Sequence, residues 1–205
     1  CQYTLYHSET GKHEHMWGPL LYLNPQNDIS LTTTNFLCEL REDLSMKRVY
    51  QIDTSELDKK PKWTFIGLED CRIVKWEGKY YLSGVRRDTT TNGQGRMELS
   101  AINYPSQPLR EISRQRIPAP GKNDSYCEKN WMPILDQPFH YMKWSNPVEI
   151  VKYNPEDKTC ITVFTGEKRD DIALNLRGGS QVIPYKDGYI ALQHITYLYK
   201  SPAGR

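Results

Sequence analysis

Gly67-Leu68-Glu69-Asp70-Cys71-Arg72 runs without a break into Ile73-Val74-Lys75-Trp76-Glu77-Gly78-Lys79-Tyr80-Tyr81-Leu82-Ser83-Gly84-Val85. Beyond the charged cluster, polar and apolar side chains alternate on both sides of Glu77-Gly78, the pattern of two strands joined by a tight turn. The first strand therefore begins with two carboxylates and an arginine. Charged groups at the inner end of a hairpin are costly to bury unless they pair or bind something. This end of the hairpin marks the fold and is also a candidate site.

The same arrangement recurs along the chain. The first unit predicts strands at 71–76, 79–86, 97–104 and 110–117, with turns at Glu77-Gly78, Asn92-Gly93 and Pro105. A second opens at Cys127-Glu128-Lys129-Asn130-Trp131-Met132-Pro133 and continues through 138–144, 148–153 and 160–165. A third opens at Leu176-Arg177-Gly178-Gly179-Ser180-Gln181, reaches Tyr185, turns at Lys186-Asp187-Gly188 and continues from Tyr189 to Tyr199. The openings lie about 50–60 residues apart, a spacing suited to four-stranded propeller blades. No segment carries a helical stripe of useful length. The expectation is an all-β fold, a five-bladed β-propeller or a large part of one.

Upstream, 30–40 and 49–53 read as further strands, bringing the visible total to about three and a half blades, whereas a ring needs about four to close. Residues 1–205 are thus read as a single propeller-type catalytic domain, incomplete at one or both ends. The missing blades are assigned to a longer chain in preference to the first 30 residues and the tail, with a partner chain in a homo-oligomer left open as a further source.

With 38% hydrophobic residues the chain has enough apolar surface for a core. Its 27 basic and 25 acidic residues are interspersed, and no run approaches a membrane span, so neither nucleic acid nor membrane is expected as a partner. The five cysteines, Cys1, Cys38, Cys71, Cys127 and Cys160, have no CxxC spacing. They are read as free, mostly buried thiols in a reducing, cytoplasmic setting, or a secreted one if a leader has been removed. Asn123-Asp124-Ser125 fits a glycosylation sequon. His7 and His13-Glu14-His15 invite a metal reading because residues two apart on a strand share a face. No further ligand is evident, so a solvated loop is preferred and no metal or cofactor is expected.

In a propeller the first strand of each blade lines the channel, so the three openings would bring Glu69, Asp70, Arg72, Glu128, Lys129, Asn130, Arg177 and Gln181 together. Glycoside chemistry needs such an assembly. One carboxylic acid protonates the leaving oxygen while a base, or a bound phosphate, works from the opposite face. Two adjacent carboxylates push one pKa upwards, which suits a general acid, and arginine can grip phosphate with two parallel bonds. Each element also has a structural reading. Glu69-Asp70-Arg72 can be an internal ion pair, Glu128 to Asn130 a turn before a core Trp131, and Arg86-Arg87-Asp88 a solvated pair ending a strand. His194 can be a packed histidine and Asn35 a pin for its blade. Arg86, Trp131, His194 and Asn35 are kept as candidate substrate contacts beside those readings.

At these residues the chain resembles the five-bladed propeller glycosidases, above all the mannoside phosphorylases and hydrolases of glycoside hydrolase family 130. Gly67 to Arg72 followed by Gly78-Lys79-Tyr80-Tyr81 is similar to that family's Glu-Asp-Pro-Arg stretch and Gly-x-Tyr-Tyr hairpin. Glu128 to Pro133 occupies the place of a Lys-Asp segment ending in Pro, and Arg177-Gly178-Gly179-Ser180 to His194 looks like a further blade opening. The resemblance implies a funnel active on β-mannosides, acting with inversion. Asp70 would be the acid, Glu69 and Arg72 would arrange it, and Lys129 and Arg177 would hold phosphate or a substrate hydroxyl. Inorganic phosphate is the one co-substrate implied, and an oligosaccharide or glycoside is the substrate. Cys71 stands where the family has proline and Asn130 where it has aspartate. Related propellers transfer mannose from a sugar nucleotide, which makes a transferase the alternative. A sugar-binding propeller without catalysis is the third reading.

Overall fold

The computed structural model describes residues 30–121, 126–172 and 176–195, together with the strand segments His13–His15 and Gly18–Leu20. In chain order the strands are β1 (His13–His15), β2 (Gly18–Leu20), β3 (Leu31–Thr32), β4 (Phe36–Leu40), β5 (Met46–Gln51), β6 (Phe65–Ile66), β7 (Leu68–Trp76), β8 (Lys79–Arg86) and β9 (Arg96–Ile102). They continue as β10 (Glu111–Arg116), β11 (Met132–Pro133), β12 (His140–Ser145), β13 (Val148–Asn154), β14 (Thr159–Thr165), β15 (Arg177–Gly178), β16 (Ile183–Tyr185), β17 (Gly188–Ile190) and β18 (Gln193–His194). The described residues contain no helix, as the alternating pattern requires.

Two four-stranded antiparallel meanders form the centre, β7 to β10 and β11 to β14, each in sequence order. The β7–β8 hairpin pairs Trp76 with Lys79 across Glu77-Gly78, whose φ angles of 49° and 78° are the left-handed pair that a two-residue primed turn needs. Around the centre lie smaller sheets: the β4–β5 hairpin, the parallel β3–β6 pair and, after the second meander, β16–β17 nested inside β15–β18. His13-Glu14-His15 is a strand paired with β2, not the expected loop. The readings at Tyr3 to His7, at the 123–125 sequon and at 196–199 lie outside the described residues.

The sheets pack face to face in chain order. Strands β7 to β10 meet β11 to β14 through Val74, Trp76, Met97, Leu99, Ile117, Trp131, Tyr141 and Val151, and Trp76 crosses this layer to donate Nε1–H to the Ile134 carbonyl at 3.0 Å. The opposite face of the first meander meets β4–β5 through Leu68, Leu82, Ile102 and Ile52. Met132, Ile134 and Val182 join the second meander to the third unit. Neighbouring packing layers on both faces of the first meander account for β9 being buried at every position, Arg96, Glu98 and Ser100 included.

Candidate functional site

The first opening lies inside a strand, since β7 already begins at Leu68. Pairing runs Leu68 with Arg86 and Glu69 with Val85, then skips to Arg72 with Ser83. One extra residue on β7 makes a bulge that leaves Glu69 and Arg72 on one face. Asp70 sits in it with φ of 53°, a conformation aspartate tolerates better than most residues. Gly84 accommodates the bulge from the neighbouring strand, because a Cβ there would lie 2.5 Å from the Glu69 carbonyl and 3.2 Å from Cys71 Sγ. Behind it, buried Arg86 donates to Glu98 at 2.7 Å and to Asp88 at 3.4 Å, and Asp88 accepts from the Gly67 amide at 3.0 Å. Asn35 donates to the Leu68 carbonyl at 3.0 Å. Arg86 and Asn35 therefore hold the start of β7 in place from the protein side.

Arg72 does not pair with the adjacent carboxylates, as the sequence suggests. It donates Nε–H to the Gly179 carbonyl at 2.9 Å and Nη2–H to the Gly178 carbonyl at 3.1 Å, tying the first opening to the third. Gln181 returns the tie, donating to the Ile73 carbonyl at 2.9 Å. Gly178 lies so close to the second opening that a Cβ would fall 2.0 Å from the Asn130 carbonyl oxygen. Asn130 itself has φ of 63°, which turns the chain into β11. The three openings thus meet through backbone contacts that only glycines and one arginine permit.

Glu69 faces Arg87 instead, with Oε1 4.0 Å from Nε, and its side chain is 18% exposed. Oε1 is buried and accepts no hydrogen bond among the described residues. Burial pushes this carboxyl above the ordinary carboxylate range; Arg87 and Lys129 oppose the shift while Asp70 and Asp88 add to it. Cys71, at the bulge, is pushed up to about 12 by burial, so its thiol stays protonated at neutral pH.

Glu128, a catalytic candidate in the sequence, and Trp131, read there as either a core residue or a substrate contact, are buried together. Trp131 donates Nε1–H to Glu128 at 3.2 Å, Lys143 pairs with the other carboxylate oxygen at 3.7 Å, and the Lys143 ammonium lies 5.8 Å from the indole centroid. Asp70, Lys129, Arg177 and His194 are exposed, and no hydrogen bond or ion pair engages their side chains among the described residues. Arg177 and His194 are directly paired across β15–β18, so their Cα atoms are cross-strand neighbours.

The predicted residues therefore divide in two. Asn35, Arg72, Arg86, Glu128, Trp131 and Gln181 are bonded into the framework. Asp70, Lys129 and Arg177 on the openings and His194 on β18 are exposed, Asp70 and Lys129 near enough to the half-buried Glu69 to act on its charge, while Asn130 is half-buried at the turn into β11. Arg87 is the contributor that pattern reading set aside, and the structure shows its close neighbour in Gly95, just ahead of β9. A Cβ at Gly95 would lie 3.1 Å from Cys127 Sγ and 3.4 Å from Arg87 Nη1. No three of the described histidine, cysteine, aspartate and glutamate side chains cluster as a metal site. A cleft of about 770 Å³ lined by Glu77, Lys79, Tyr81, Ile112, Tyr153 and Asp157 among others lies at the opposite end of the β7–β8 hairpin, away from the carboxylates. No family model, curated protein or solved structure matches the chain.

Proposed function

We propose that this chain forms the active face of a five-bladed propeller enzyme that cleaves or phosphorolyses a β-mannoside-like bond with inversion. Supporting the propeller reading are two complete meanders stacked face to face in chain order, with partial sheets on either side. The observation that carries the functional reading is the meeting of three openings. There the half-buried Glu69 carboxyl, its pKa raised, lies within electrostatic reach of the exposed Asp70 and Lys129, and Arg177 stands on the third opening that Arg72 ties to the first.

In this reading Glu69, not Asp70, is the proton donor, because burial raises its pKa above the ordinary carboxylate range. It protonates the leaving glycosidic oxygen. Lys129 and Arg177 hold the attacking phosphate, and Asp70 orients a sugar hydroxyl or, in hydrolysis, deprotonates the attacking water. Glu128 is committed to Trp131 and Lys143 and takes no part. With that carboxylate engaged in the core, a phosphate held by cations is the better supplied nucleophile, which favours phosphorolysis.

Incubation with β-mannobiose, with and without phosphate, tests the reading. Mannose 1-phosphate formed only with phosphate is the expected product, and Glu69→Gln is expected to slow its formation by about a hundredfold or more. Free mannose in both conditions would make the enzyme a hydrolase. Mannosyl transfer from a sugar nucleotide would replace cleavage with transferase activity. Sugar binding with no product from any of these substrates would overturn the catalytic reading.

A further inference from the structure

The Arg87 side chain connects two of the three openings and has no counterpart among the residues that the carbohydrate reading assigns. It leaves the end of β8, donates Nη1–H to the Gly93 carbonyl at 3.2 Å and Nη2–H to Cys127 Sγ at 3.2 Å, and turns Nε towards Glu69. Both anchors are themselves fixed. Gly93, with φ of 65°, sits against the Trp63 ring with no room for a Cβ, and the same turn is held where Arg116 bonds Thr89 and the Gln94 carbonyl. Cys127 is locked beside Gly95 by a parallel bridge whose bonds run from the Gly95 amide to the Tyr126 carbonyl and from the Glu128 amide to the Gly95 carbonyl, each 3.0 Å.

We propose that Arg87 is the positioning residue of this site, its guanidinium anchored on Gly93 and Cys127 so that it holds the Glu69 carboxyl in register with the second opening. The planar fork is what the position requires: two N–H groups bond Gly93 and Cys127 while Nε faces the Glu69 carboxylate at 4.0 Å, a division a single ammonium cannot reproduce. The charged groups around Glu69 are Arg87, Asp70, Lys129 and Asp88. Of these, Arg87 alone is ion-paired with it among the described residues. Arg87 therefore sets how far burial raises the Glu69 carboxyl, and thus the pH above which the proton is lost.

This inference rests on reading Glu69 as the acid, and its test separates the two. Protein carrying carboxyl-labelled glutamate, with the Glu69 resonance assigned through Glu69→Gln, is titrated by NMR as wild type, Arg87→Lys and Arg87→Gln. Arg87→Gln is expected to raise the Glu69 midpoint by about one unit. Arg87→Lys is expected to raise it by less, since the charge remains while the anchors on Gly93 and Cys127 are lost. In turnover, the basic limb of the kcat profile moves up with the midpoint. A Glu69 midpoint unchanged in the lysine variant, or in a folded glutamine variant, overturns the proposal. Shifted midpoints without turnover of any mannoside leave Arg87 as the positioning group and remove the enzymatic reading.

Discussion

Glu69 shows how one side chain can be legible in kind and illegible in role. Sequence places it beside Asp70 and Arg72, which suggests an ion pair; the bulge instead turns Arg72 to the Gly178 and Gly179 carbonyls and leaves Glu69 opposite Arg87. A carboxyl whose pKa is raised by burial stabilises the folded state while it is protonated. That contribution is complete below the unfolded-state pKa and is lost as the pH rises through the folded value. Glu69→Gln keeps the neutral form at every pH. The variant is therefore expected to melt at a higher temperature than wild type at pH 7, with the gain shrinking as the pH falls through the carboxylate range. Thermal melts across that range check the sign, and a lower melting temperature for the variant at neutral pH would refute it.

At the scale of elements, the site is assembled by backbone approach. Strand β15 contributes only two residues, yet it is held by Arg72 from β7 and rests against Asn130 before β11. The Gly178-Gly179 pair was legible as a place of close approach, since glycine admits backbone where a side chain would clash. Its partners were not, because they come from openings about 50 and 110 residues away, a separation no local pattern encodes. In Gly178→Ala the new methyl would meet the Asn130 carbonyl oxygen at 2.0 Å and Met132 Cγ at 2.7 Å. Overpacking of this kind is expected to cost at least about 1–3 kcal/mol, read as a lowered urea midpoint. The third unit also loses its seat on the first two, so hydrogen exchange in β15 and β18 is expected to quicken more than in β7 to β9. Uniform acceleration across all strands would argue against this local coupling.

Across the whole molecule, stability depends on the layers between successive sheets. Trp76 is 1% exposed, packs edge-on against Phe139 and Tyr141 with centroids 5.3 and 5.5 Å away, and bonds the Ile134 carbonyl. It belongs to the first meander while every one of those partners belongs to the second unit. Trp76→Ala is expected to cost about 3–5 kcal/mol, with Trp76→Phe losing less because it keeps part of the packing while leaving the Ile134 carbonyl without its donor. Chemical denaturation of the two variants checks the order, and equal losses would mean that the packing kept by phenylalanine carries little and the Ile134 hydrogen bond most of the effect. The outer sheets are different: Phe36, Leu40 and Val49 on β4–β5 and Ile183, Tyr185 and Ile190 on β16–β17 are substantially exposed.

Sequence by itself determined that the described residues are all-β, where the main hairpins turn, and which short clusters begin each unit. Those properties depend on side-chain period and on turn residues, both of which act over a few neighbours. The Gly67 to Arg72 cluster could be marked as a candidate site from its charge alone. Only the tertiary structure decided which charges face solvent and which are spent inside. Glu128 and Trp131 turn inwards to Lys143, Arg86 is sealed against Glu98, and Arg72 spans two units, while Asp70, Lys129, Arg177 and His194 remain outside. The reason is that burial of a charge depends on what stands opposite it. Here the opposing group comes from another strand or another sheet, so its position is a property of the packing and not of the local chain.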